Sequence, residues 1–170
     1  MKKFAILPAF ALFTLVSCKK NGSSPNSGSG SISATIDGKS ETFNTDAFAL
    51  NSSGNDIYNI VISGYQGAVG VSDEIGFGIS GNIAITTDTY HFSLANSNAD
   101  QLSMQYSPSD SVEYISDMNN PLNTSTVTIT SLTSTNIQGT FNATLALFSG
   151  LSTPTATKTV TNGKFNVNFR

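Results

Sequence analysis

The sequence predicts an all-β fold, and three features of the chain support this prediction. Apolar and polar residues alternate in short runs that recur about every ten residues, which is the pattern of half-buried strands. After the first 17 residues, no segment keeps the 3.6-residue apolar period of an amphipathic helix. Charged residues make up only 11% of the chain, against about 25% in ordinary soluble domains. Ser, Thr and Asn take the polar positions instead, which suits exposed sheet faces.

The clearest strands lie in the C-terminal third of the chain. Residues 137–147 have apolar residues or glycine at every odd position and predict one long core strand, and residues 165–169 predict the last strand. Val127 and Ile129 alternate with threonines in an earlier strand. At Asn162-Gly163 the apolar residues change from even to odd positions, so this pair is predicted to be either a hairpin turn or a β-bulge.

Turn residues place the remaining strands. Asp37-Gly38 predicts a two-residue hairpin turn within residues 32–43, because both central residues of a type I′ turn need positive φ. A Ser-Pro-Ser-Asp turn at 107–110 predicts a second hairpin. The nearly continuous apolar run 56–64 predicts a central strand. Two further strands are predicted by the glycine-interrupted run 75–83 and by alternate apolar residues at Tyr90, Phe92 and Leu94.

Roughly ten strands without helices predict an antiparallel β-sandwich in a single domain, residues 32–170. A closed or partly open β-barrel is the alternative. Cys18 is the only cysteine, so the domain has no disulfide. An apolar core must stabilise it, and a chain of this length can form one.

The N-terminus has the pattern of an export signal. Lys2 and Lys3 precede an apolar stretch at 4–16, which at 13 residues is too short for a spanning helix of about 20. Leu15-Val16-Ser17-Cys18 resembles the lipobox of bacterial lipoproteins, which implies that residues 1–17 are a signal peptide cut off before an acylated Cys18. Several fatty acyl chains, such as palmitate, anchor a protein firmly. An ordinary secreted protein or a short uncleaved anchor is the alternative.

Residues 18–31 are predicted to be the acylated cysteine and a flexible tether. After Lys19 and Lys20 the tether is almost wholly Gly, Ser and Asn, with one proline. A flexible chain of this length holds the domain roughly 20 Å from the lipid.

The layout of the whole chain resembles a family of small lipoproteins of Bacteroidota that is grouped as a domain of unknown function. The resemblance rests on the lipobox leader and on four motifs: Ala34-Thr35-Ile36-Asp37-Gly38-Lys39, Thr89-Tyr90-His91-Phe92, Ile137-Gln138-Gly139-Thr140-Phe141 and Thr161-Asn162-Gly163-Lys164-Phe165-Asn166. It implies a β-sandwich on a lipid anchor in the cell envelope, at the outer membrane, and no catalytic residue. Acidic residues after the cysteine direct some such lipoproteins to the cell surface. Lys19 and Lys20 stand there in this chain, which favours the periplasmic face.

Charge and composition exclude several functions. From residue 31 onward, four basic residues face eleven acidic ones, a net charge of −7, so the domain repels phosphate backbones and we expect no nucleic-acid partner. His91 is the only histidine, which argues against a zinc site or a Ser-His-Asp triad and predicts a solvent-facing residue. We expect no cofactor.

Acidic residues offer the remaining candidate chemistry. Asp110, Glu113 and Asp117 lie near a turn and are candidate calcium ligands. Asp73 and Glu74 are adjacent in the chain, so in a strand they point to opposite faces and do not easily form a pair, unless the loop before the strand includes them. Ser111, in Asp110-Ser111-Val112, resembles a short acceptor sequence for O-glycosylation.

Tyr65, in the predicted loop 64–67, is a candidate exposed binding residue. Together these features predict a non-enzymatic binding or interaction module, held to the membrane through Cys18, whose partner is a glycan or an envelope protein. A glycan-active or other hydrolase with paired carboxylates is the alternative. A structural envelope component without a ligand is a further one.

Overall fold

The computed structural model describes residues 30–92, 101–109, 112–116, 124–148 and 156–170. These ranges contain eleven strands and no helix, so none of them holds a helix long and apolar enough to cross a membrane. The strands are β1 (Ser31–Ile36), β2 (Lys39–Thr42), β3 (Thr45–Gly54), β4 (Ile57–Tyr65), β5 (Glu74–Gly81), β6 (Thr89–His91), β7 (Gln101–Ser107), β8 (Tyr114–Ile115), β9 (Thr126–Leu132), β10 (Asn136–Leu147) and β11 (Thr157–Asn168).

All eleven strands belong to one antiparallel sheet, which curls like half a barrel. Its main path runs β2-β1-β11-β10-β8-β7-β5-β4-β3, while β9 pairs with β10 and β6 pairs with β9. The first strand therefore lies beside the last one. This architecture confirms the predicted all-β class.

The curl brings β3, at one end of this path, to the end of β11. Phe169 forms an isolated parallel bridge with Ala49, and the Arg170 amide donates a hydrogen bond to the Ala49 carbonyl at 3.1 Å. The Arg170 side chain pairs with Asp46 and lies 4.2 Å from the centroid of the Phe48 ring. Strands far apart in the path thus meet across the curl.

The core fills the concave side of this sheet. On β5 the side chains of Ile75, Phe77 and Ile79 are almost fully buried. The ring centroid of Phe77 lies 5.3 Å from that of Phe141 on β10 and 5.2 Å from that of Phe165 on β11. Because β7 and β8 lie between β5 and β10 in the path, these aromatic contacts hold the two sides of the curl together.

Backbone φ values explain the first hairpin, and together with the strand register they decide between a hairpin turn and a bulge at Asn162-Gly163. Asp37 and Gly38 have φ of 49° and 84°, as a type I′ turn requires, and β1 pairs with β2 as predicted. Asn162 has φ of 52°, but β11 continues through it. Its pairing with both β10 and β1 shifts register there, so the pair forms a bulge and not a hairpin turn.

Two glycines let β10 and β11 pack closely. Gly139 pairs with Phe165, and Phe141 pairs with Gly163, so each phenylalanine ring covers the glycine of the opposite strand. A Cβ on Gly139 would lie 2.1 Å from the Thr128 carbonyl oxygen and 2.5 Å from the Phe165 ring. A Cβ on Gly163 would lie 2.4 Å from the Phe141 carbonyl oxygen. The close approach of backbone and ring requires glycine at both positions.

Candidate functional site

A cleft of about 310 Å³ opens at the ends of β4, β5 and β7. Tyr65 contributes from β4, Glu74 from β5, Ser107 from β7 and Glu113 from the segment before β8. In the sheet register Tyr65 pairs with Glu74, and Glu74 pairs with Ser107. Three neighbouring strands therefore place these residues side by side.

The start of β5 separates two adjacent carboxylates. Asp73 accepts hydrogen bonds from the Tyr106 hydroxyl at 2.6 Å and from the Ser109 amide at 2.9 Å, so it is occupied with the β7 strand and the turn after it. Glu74 lines the cleft. Asp73 precedes β5 and Glu74 begins it, and the two carboxyl groups have different hydrogen-bond partners.

Glu74 is the centre of a small hydrogen-bond network. The Ser63 hydroxyl, on a residue only 7% exposed, donates to Glu74 Oε1 at 2.8 Å. Burial raises the pKa of the Tyr65 hydroxyl, and the charge of Glu74 together with a hydrogen bond to it adds to that increase. Tyr65 therefore stays a neutral donor near pH 7, and this residue forms part of the cleft wall.

Glu113 is held differently from Glu74. Its backbone carbonyl accepts a hydrogen bond from the Phe148 amide at 2.8 Å, which fixes the segment, but no described residue hydrogen-bonds to its carboxyl group. Burial raises the pKa of this carboxyl, and the nearby charge of Glu74 raises it further. None of the described residues that line the cleft is Lys, Arg or His, so no basic side chain offsets the two acids.

Several predicted site residues lie outside the described residues: Cys18, Asp110, Ser111 and Asp117. Of the predicted calcium ligands, only Glu113 is described, and in the described ranges no three His, Cys, Asp or Glu residues are close enough to hold a metal ion. Tyr65 is described too, but it is half-buried at the end of β4 and not in the loop that follows. The structure thus brings Tyr65 and Glu113 to one cleft, together with Glu74.

His91 is exposed, as its position in the alternation predicts. Its Nδ1 lies 3.2 Å from the Thr126 hydroxyl on the neighbouring strand. A surface contact between β6 and β9 accounts for this side chain.

A second depression of about 330 Å³ lies on β1, β10 and β11. Its polar side chains are hydroxyl and amide groups such as Ser33, Gln138 and Asn166, with Lys164 as its only titratable group among the described residues. The first cleft contains two groups whose pKa is displaced by their surroundings. Such groups concentrate at functional sites, so the first cleft is the better candidate.

Comparison with known proteins adds no family to this geometry. No protein-family model, no curated protein and no solved structure matches the chain.

Proposed function

We propose that this protein is a lipid-anchored component of the cell envelope whose β domain binds a ligand without transforming it. The lipobox-like leader before Cys18 supports the anchor, and the cleft supports ligand binding. One observation bears most on binding: an aromatic residue, Tyr65, and two acidic residues, Glu74 and Glu113, line one concave space. An aromatic surface with a few convergent polar groups is the usual composition of a ligand site.

The same proposal takes the curled sheet to be a partly open barrel, the alternative to a β-sandwich. A single hydrogen-bonded path through the strands supports this choice. The contact between Phe169 and Ala49, which joins the end of β11 to β3, supports it as well. An open barrel leaves strand ends and the loops beyond them free to form a binding site.

Cys18→Ala tests the anchor. The variant lacks the sulfur that would carry the lipid, so we expect nearly all of the protein to move from the membrane to the soluble envelope fraction. Immunoblots of the two fractions measure the distribution. Ser23→Ala, a comparably small change in the predicted tether, is the matched control and should stay with the membrane. Membrane retention of the Cys18 variant would show that the lipid assignment is wrong.

Tyr65→Ala tests the cleft as a binding site. Amide resonances of the labelled domain can be followed during titration with neutral oligosaccharides, cationic peptides and acidic peptides. We expect at least one class to shift the resonances of Tyr65 and Glu74, and the variant to bind that class about tenfold more weakly. Tyr58→Ala, on the same strand but outside the cleft, is the control. If all ligands leave the cleft resonances unmoved, the cleft has no binding function.

A hydrolase is the second candidate, and the presence of two carboxylates, Glu74 and Glu113, in one cleft favours it. Burial and the charge of Glu74 raise the pKa of Glu113, as a general acid requires, while Glu74 would act as base or nucleophile. Turnover of a glycan or ester by residues 19–170 that Glu113→Gln abolishes would establish this activity. It would also refute binding without catalysis.

A further inference from the structure

The cleft combines two acidic groups with a shortage of positive charge. Glu74 and Glu113 both line it, and no basic side chain is among the described residues of its wall. Lys39, whose charge acts on the neighbouring Asp73, is already paired with Glu41, with its Nζ 2.6 Å from Glu41 Oε1. Of the two acids, Glu74 has a hydroxyl donor in Ser63, whereas the Glu113 carboxyl has no donor among the described residues.

We propose that the cleft selects an organic cation, an ammonium or guanidinium group, which binds between Glu74 and Glu113 and against the ring of Tyr65. The inference rests on the proposed binding function, since it names the chemical class of the ligand for the same cleft. A cation supplies hydrogen-bond donors for the Glu113 carboxyl, which has none among the described residues, and charge-assisted hydrogen bonds are about twice as strong as neutral ones.

Two further features favour a positive charge. Tyr65 lies in the same wall, and an aromatic face attracts a cation within about 6 Å of its centroid. The net charge of −7 from residue 31 onward gives the domain a negative field that attracts cations and repels anions. The raised pKa of Glu113, which follows from burial and from the charge of Glu74, agrees with this reading.

Other ligand classes fit the cleft less well. An anion would meet two carboxylates. A neutral sugar would satisfy hydrogen bonds but leave the repulsion between Glu113 and Glu74 unrelieved. A metal ion lacks a third acidic or imidazole ligand within the described residues. Ser72, one of the hydroxyl groups in the wall, is already engaged with the Gly67 amide and the Ala68 carbonyl, both at 2.9 Å.

The test compares benzylammonium with benzyl alcohol, which has a similar shape and no charge. We expect benzylammonium to shift the amide resonances of Tyr65 and Glu74 and to bind at least tenfold more tightly than the alcohol. Glu113→Gln should weaken the ammonium roughly tenfold and leave the alcohol unchanged. Asp56→Asn removes the same charge from an exposed turn where Asn also tolerates positive φ, so it is the control for net charge.

The pH dependence gives an independent readout. Among the described residues, the charge of Glu74 acts on the Glu113 carboxyl and Tyr65 lines the same cleft. Tyr114 follows Glu113 in the chain, and Lys158 Nζ lies 5.4 Å from the centroid of the Tyr114 ring. The cation displaces a proton from Glu113, so its affinity should rise as the pH rises through the pKa of that carboxyl and then level off. Calorimetry in buffers with different ionisation enthalpies measures the proton release, which Glu113→Gln should abolish.

The outcomes separate the cation assignment from the binding function. If benzyl alcohol or a neutral oligosaccharide binds the cleft at least as tightly as benzylammonium, the cation assignment is wrong and the binding function stands. The assignment is also wrong if Glu113→Gln and Asp56→Asn weaken the ammonium equally. If no probe moves the cleft resonances, both proposals fail.

Discussion

Gly139→Ala should lower the free energy of unfolding by about 3 kcal/mol, and the melting temperature by roughly 10 °C. The added Cβ would lie 2.1 Å from the Thr128 carbonyl oxygen of β9 and 2.5 Å from the Phe165 ring of β11. The oxygen belongs to the backbone of a paired strand, so it cannot move aside without breaking the ladder between β9 and β10. Denaturant unfolding followed by circular dichroism gives the free energy, and calorimetry gives the melting temperature.

Gly76→Ala is the matched control for this prediction. Gly76 also lies inside a central strand, β5, but a Cβ there would lie 3.4 Å from its nearest neighbour, the Ile62 carbonyl oxygen. Alanine loses less backbone entropy than glycine on folding, so we expect a change within about 0.5 kcal/mol or a small gain in stability. Equal losses in the two variants would mean that strand position, and not the close approach at Gly139, determines the cost.

The reciprocal arrangement of Gly139 and Gly163 shows which parts of the fold could be predicted. Alternation predicts that residues 137–147 and 165–169 are strands with one buried face, and the structure confirms a strand at each place, although Ala146 is buried as well and β11 begins at Thr157. The change of apolar parity at Asn162-Gly163 predicts an irregularity. A local pattern cannot identify its type, because the choice between a turn and a bulge depends on whether the same strands stay paired on both sides.

Strand β3 was not predicted, and its composition explains why. Its inward residues are the small Ala47 and Ala49, while Phe48 and Leu50 point outward and remain partly exposed. The alternation of apolar and polar residues that identifies a strand is therefore weak in this segment. A bulge where Asp46 has φ of 52° breaks the register as well. The sequence does contain a turn signal after β3, the pair Asn55-Asp56. In the structure these two residues have φ values of 52° and 60° and form a primed turn that leads to β4.

The cleft was predicted only in part, because its residues come from separate regions of the chain. Local sequence indicates Tyr65 and Glu113 as separate candidates, and it relates Glu74 only to its neighbour Asp73. The proximity of Glu74 to Glu113 follows from the pairing of β5 with β7 and of β7 with β8. Pairing between strands distant in sequence is set by how the whole sheet buries its apolar face, and no single segment encodes it.

Phe77→Ala should lower the free energy of unfolding by about 4 kcal/mol, a large share of the roughly 5 to 15 kcal/mol that stabilises a typical domain. Phe77 is 3% exposed. Its ring meets Phe141 and Phe165, at centroid distances of 5.3 Å and 5.2 Å, from strands on the opposite side of the curl. The truncation leaves a cavity where the two sides pack together. It also removes two aromatic contacts, each worth about 0.5 to 1.5 kcal/mol beyond burial.

Phe148→Ala distinguishes loss of this packing from a general cost of removing an aromatic ring. Phe148 is 62% exposed, so its truncation should change the free energy of unfolding by no more than about 0.5 kcal/mol. Phe77→Leu should recover more than half of the loss seen in Phe77→Ala, because the larger side chain refills most of the cavity. Chemical denaturation of all three variants measures these differences. A loss below about 1.5 kcal/mol for Phe77→Ala would contradict the close packing of β5 against β10 and β11, since a buried phenylalanine in a close-packed core loses about 3 kcal/mol or more.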